Sequence, residues 1–142
     1  MNHEEKVEDG WINARLIIEA QGKPEKHVLK NLEAIKNQID ALEDVDVYDV
    51  KNEPATELKD GFISALMDVG VVVKDADFLM QLVLNYGPSA VIIIEPEEIK
   101  FDFRQLQNML NDVANFLHAI SQQNMTLRIQ NYMAAKKLAT EK

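Results

Sequence analysis

The chain has 142 residues, 46% of them apolar, and no cysteine. That is enough for one buried core, and it excludes a disulfide framework, a thiolate metal site and a cysteine nucleophile. With 15 Lys and Arg against 24 Asp and Glu, the net charge of −9 repels phosphate backbones and anionic lipid, which argues against nucleic-acid and membrane partners.

Residues 1–10 are acidic and lack an apolar run, so they read as a flexible N-terminal tail and not as a signal peptide; the expected location is cytoplasmic. From Trp11 to Gln21, Ala14, Leu16, Ile18 and Ala20 alternate with Asn13, Arg15, Ile17 and Glu19, a period of two that predicts a strand. Gly22, Lys23 and Pro24 end it, and Pro24 suits the first turn of a helix. Val28, Leu32, Ile35, Ile39 and Leu42 follow at helical spacing. A second strand runs through Val45, Val47 and Val50, where Asp46, Asp49 and Lys51 suit a sheet edge.

Phe62 to Lys74 predicts a third, central strand, and Asp75 or Asp77 caps a short helix closed by Gly87 and Pro88. Ala90 to Glu95 is the fourth strand, and Ile99, Phe101 and Phe103 alternate as a brief further extended segment. Asp102 and Gln105 have capping-box spacing at the head of a long helix. Its stripe is Leu106, Leu110, Val113, Leu117 and Ile120, broadened by Met109 and Phe116, with weaker matches from Leu127 to Leu138. Ser121 to Asn124 leaves its continuity open.

This order predicts an α+β fold: a ferredoxin-like βαββαβ plait, two helices on a four-stranded antiparallel sheet, with a long C-terminal helix. The expected division is a tail over 1–10, the α/β domain over 11–101, and a helical extension over 102–142 that packs on the domain or on a partner subunit.

Chemistry is sparsely signposted. His3, His27 and His118 lack metal-ligand spacing, and Glu43, Asp44, Asp46 and Asp49 fail the calcium-loop template, so no metal or cofactor is expected. Glu95, Glu97 and Glu98 surround Pro96 and leave open an enzyme using paired carboxylates, with or without a divalent ion. No nucleophile elbow or phosphate loop occurs, so no catalytic residue is assigned.

Apolar surface is the stronger signal. Val91 to Ile94 carries no charge or proline to protect an edge, and Ile17 and Leu66 fall on the sheet face away from the helices, beside Phe62 and Val72. Ile17, Leu66, Ile92, Ile94, Leu110, Val113 and Leu117 are therefore the expected partner interface. The long helix's stripe approximates a heptad, which adds a helix pair between subunits to the possibilities.

Two resemblances follow from the residues. Lys59 to Leu66 faintly resembles the core strand of RNA-recognition motifs, but Phe62 is its single aromatic; the basic tail from Thr126 to Lys142, four Lys or Arg against one Glu, reads as a helix C-terminus. The element order over residues 11–95 resembles ACT-like regulatory domains, and that resemblance implies a small-metabolite site at Gly22, Lys23 and Pro24, although the family's proline-then-glycine order is absent here. The sequence thus favours a non-enzymatic binding or assembly module that forms homo-oligomers or binds a protein, with metabolite sensing and carboxylate chemistry as alternatives.

Overall fold

A computed structural model describes residues 2–140; Met1 and residues 141–142, the outer ends of the predicted tail and extension, lie outside the described residues. The protein is α+β, with an antiparallel sheet and a long C-terminal helix. It divides into two compact units between Lys100 and Phe101.

The first unit opens with helix α1, His3–Glu8, where a tail was expected. Asn2 and Glu5 form a reciprocal capping box, which satisfies donors that a helix this short otherwise leaves to water. Then come β1 (Ile12–Gly22), α2 (Glu25–Asp40), β2 (Val45–Asn52), the two-residue β3 (Thr56–Glu57), β4 (Ile63–Val73), α3 (Ala76–Tyr86) and β5 (Ala90–Glu95). The sheet has five strands instead of the four expected: its main order is β2-β4-β1-β5, and β3 pairs with β4. Every pairing is antiparallel, and β1 lies along β4 from Ile12 opposite Val73 to Gly22 opposite Ile63.

The period of two places Ile12, Ala14, Leu16 and Ile18 of β1 in one buried cluster with Ala65, Met67, Val69, Val71 and Val73 of β4. Val28, Leu32 and Ile39 of α2 and Leu79 and Leu82 of α3 join it. Local chemistry sets the helix ends. Pro24 is the residue before α2, one position earlier than a first-turn proline. Asp75 accepts the Phe78 N–H at the head of α3, and Gly87, at φ 55°, ends that helix in the left-handed region, which costs glycine little.

Ile99 packs against the core, but residues 99–102 form no strand, and Phe103 already belongs to a helix. The alternation of Ile99, Phe101 and Phe103 misleads because Asp102 caps the next helix by accepting the Gln105 N–H at 2.8 Å. The second unit is that helix, α4, Phe103–Thr140, unbroken over 38 residues and without a buried residue. Ser121 to Asn124 does not interrupt it.

Candidate functional site

The sheet face turned away from the core cluster is built by the alternate residues of the same strands. Register puts them in rows: Asp46, Val72, Asn13 and Glu95; then Asp49, Gly70, Arg15 and Ile92; then Lys51, Asp68, Ile17 and Ala90. A bulge in β2 between Val47 and Asp49 adds Tyr48 to this face without moving Val47 or Val50 off the core.

Arg15 is the centre of the face, its side chain only 15% exposed. Its Nε donates to Asp68 Oδ1 at 2.6 Å and its Nη2 to Asp49 Oδ2 at 3.0 Å. Burial alone lowers the guanidinium's pKa, but the hydrogen bonds and charges of Asp68 and Asp49 outweigh it, and the net direction is upward. Tyr48 donates its hydroxyl to Asn13 Oδ1 at 2.6 Å and stacks at a tilt on His3, ring centres 5.3 Å apart. Both large side chains lie over Gly70. A Cβ there would stand 2.7 Å from Tyr48 Cζ and 2.9 Å from Arg15 Nη1, so only glycine admits them.

α1 closes one end of this face. Lys6 pairs with Asp46 and lies 4.6 Å from the centre of the Trp11 ring. Between α1 and the sheet is a cavity of about 230 Å³ whose lining includes His3, Glu4, Asn13, Tyr48 and Glu95. Val72 was expected to be an exposed flank; it is fully buried because it lines this cavity with Val7 of α1. Farther along, Ile17 and Leu66 line a second hollow of about 380 Å³ with Pro54 and Asp68. Glu19 accepts from Gln21 and from Ser64, and these bonds hold its carboxyl below the ordinary glutamate pKa.

The predicted interface residues of the first unit thus fall together in part: Ile17, Leu66 and Ile92 share the open face. Ile94 sits at an irregularity in β5, between Ile93 opposite Ala14 and Glu95 opposite Asn13. As the outermost strand beyond β1, β5 is entirely exposed, and Val91 to Ile94 are between 37% and 52% accessible. Gly22, Lys23 and Pro24 stand at the opposite end of β1 from Asn13, and there Lys23 Nζ donates to the Asp60 carbonyl and lies 4.7 Å from the Phe62 ring centre. That contact engages the one aromatic of the RNA-motif resemblance. Of the carboxylates around Pro96, Glu95 lines the 230 Å³ cavity, while Glu97 and Glu98 are exposed in the turn. Among the described residues, no group of three or more His, Cys, Asp or Glu is placed to hold a metal ion.

On α4, Leu110 and Leu117 are 59% and 60% exposed, with Val113 between them half-buried. His118 is within hydrogen-bond distance of Gln122 one turn on. No helix among the described residues is long and apolar enough to cross a membrane.

Sequence reading missed the ion cluster around Arg15. Its signal was Gly70, an isolated glycine inside a mostly apolar strand, which marks a close approach of other atoms to the backbone.

These features define an α+β protein whose sheet carries an ion-paired polar face and one bare apolar edge, followed by a long amphipathic helix. The chain belongs to the MJ0538 family, whose model matches residues 13–140 and so spans both the sheet unit and α4. No curated protein matches it.

Proposed function

We propose that this protein is a non-enzymatic assembly module that self-associates through the β5 edge, the adjoining open face and α4. The observation that carries this reading is the outermost strand: Val91, Ile92, Ile93 and Ile94 are all exposed, and β5 has β1 on one side alone. An edge of this kind offers both unpaired backbone groups and apolar side chains to another chain. Ile92 and Ile94 are about half exposed, so completing their burial contributes on the order of 1 kcal/mol each. The open face supports the reading from the other direction, since Arg15, Asp49 and Asp68 satisfy one another and leave Ile17, Leu66 and Ile92 as its apolar contacts.

We read the sheet unit as a ferredoxin-like βαββαβ plait. The order β2-β4-β1-β5, with α2 after β1 and α3 after β4, supports it, and β3 is then a two-residue addition beside β4.

Sedimentation equilibrium of the full chain across the micromolar range tests the proposal. A mass of two chains or more is the expected result; a single-chain mass at every concentration overturns it.

A further inference from the structure

The unbroken course of α4 reveals a register that the apparent interruption at Ser121 to Asn124 concealed. Counting from Phe103 at alternating steps of three and four gives Leu106, Leu110, Val113, Leu117, Ile120, Asn124, Leu127, Asn131, Ala134 and Leu138. This is a full set of heptad core positions over the length of the helix. Phe103, Leu110, Leu117, Asn124, Asn131 and Leu138 occupy the a positions, and the other five the d positions. Both polar residues of the seam are therefore asparagines at consecutive a positions.

We propose, building on the self-association read above, that α4 pairs with α4 of a second copy as a parallel, in-register, two-stranded coiled coil, with Asn124 and Asn131 selecting that arrangement. The selection is by elimination of unpaired polar groups. In the parallel, in-register pair, Asn124 meets Asn124 and Asn131 meets Asn131 of the twin, so each amide has an amide to bond. Sliding by one heptad sets Asn131 against Asn124 but strands the remaining two against Leu117 and Leu138. Antiparallel pairing about the helix centre puts Asn124 opposite Ile120 and Asn131 opposite Val113, leaving all four amides without a polar partner.

Charge agrees with the second copy as occupant. Among the described residues of α4 no seam position is charged, and the flanking e and g positions hold two charges, Arg128 and Lys137. In the parallel register Arg128 faces Gln123 of the twin, so within Phe103–Thr140 no like charges oppose one another across the seam. The area is adequate too. Phe103, Leu106, Leu110, Leu117, Leu127 and Leu138 are each 44–74% exposed. Burying the accessible part of the seam side chains on two helices removes on the order of 1,000 Å², close to the ~1,200 Å² at which specific interfaces begin.

Because the chain has no cysteine, single replacements report geometry directly. Leu106→Cys and Leu138→Cys are made separately in the full chain, oxidised alone and as an equimolar mixture, and analysed beside sedimentation. Each is expected to form a disulfide with its own kind, and the mixture is expected to give no cross-linked heterodimer beyond those seen when the two are oxidised apart and then combined. The two positions are ~48 Å apart along the helix, so the parallel register cannot join them. A 106-to-138 disulfide as the sole product overturns the orientation and leaves self-association standing. Dimers that cross-link at neither position overturn the coiled coil but not assembly. A protein monomeric throughout removes both. A tetramer that also gathers the off-seam residues Met125, Ile129 and Tyr132 overturns the two-stranded state. Asn124→Leu with Asn131→Leu is expected to associate more tightly and into mixed or larger species; an unchanged dimer shows that the asparagines do not select it.

Discussion

At one edge of the sheet β2 commits Asp46 to Lys6 and Asp49 to Arg15 and carries a bulge at Tyr48, while at the other edge β5 presents four consecutive apolar residues with no charge among them. Bulges and charges are the ordinary means by which an edge refuses a further strand. The contrast shows that the fold can guard an edge and does so on one side. It also shows that the charges of β2 do more than repel, because they tie the edge strand to α1 and to the central strand β1. The guarded edge is thereby stiffened by contacts that β5 does not have.

The hardest blow to the guarded side is Gly70→Val, which drives side-chain atoms into the space that Tyr48 and Arg15 occupy. It is expected to cost about 3 kcal/mol in urea denaturation, the upper part of the range for overpacking. A loss below about 0.5 kcal/mol would mean that the two side chains simply leave, and that the face is not tightly built. The bare edge should answer oppositely. Ile92→Lys with Ile94→Lys places charges where β5 has none, and is expected to weaken association about tenfold to a hundredfold while folding stability changes by about 0.5 kcal/mol or less. Association that survives this change assigns the contact elsewhere.

Much of this architecture is legible in the residues, because the signals involved are local. Alternation in Ala14, Leu16 and Ile18 marks β1, and Asp75, Gly87 and Asp102 mark helix ends through hydrogen bonds that reach three or four residues. What escapes is long-range or marginal. Arg15 finds Asp49 and Asp68 at sequence separations of 34 and 53, and nothing in the local pattern of β1 names those partners. α1 depends on Asn2 and Glu5 capping each other and on Lys6 reaching Asp46, so six acidic-looking residues read as a tail. β3 is two residues long, too short for any period. Of the residues proposed as an interface, alternation alone sets Ile17 and Leu66 on one face, yet Val72 on the same face is buried by a helix the sequence did not announce.

A smaller effect tests how far the polar face is held by its centre. Arg15→Ala leaves Asp49 and Asp68 as neighbouring carboxylates without their shared cation. Because Asp49 and Asp68 are 40% and 26% exposed, water offsets part of the loss. A decrease of about 1–2 kcal/mol in denaturation is expected, below that of Gly70→Val. Equal losses in the two variants would indicate that Gly70 acts only through Arg15 and that Tyr48 contributes nothing.

The smallest effect lies at the far end of the open face, where Glu19 accepts from Gln21 and Ser64. Its carboxyl is held below the ordinary glutamate range, so its folded form binds its proton less readily than the unfolded chain does. The stability this supplies is fully present above the ordinary glutamate pKa and is lost as pH falls through the lowered one. Ser64→Ala removes one of the two donors and is expected to move the Glu19 titration, followed by the side-chain carboxyl resonance, upward toward the ordinary value, with the Arg15 cluster undisturbed. If the titration does not move, Gln21 alone sets the pKa, and the face is a row of independent local pairs instead of a surface knitted from β1 to β4.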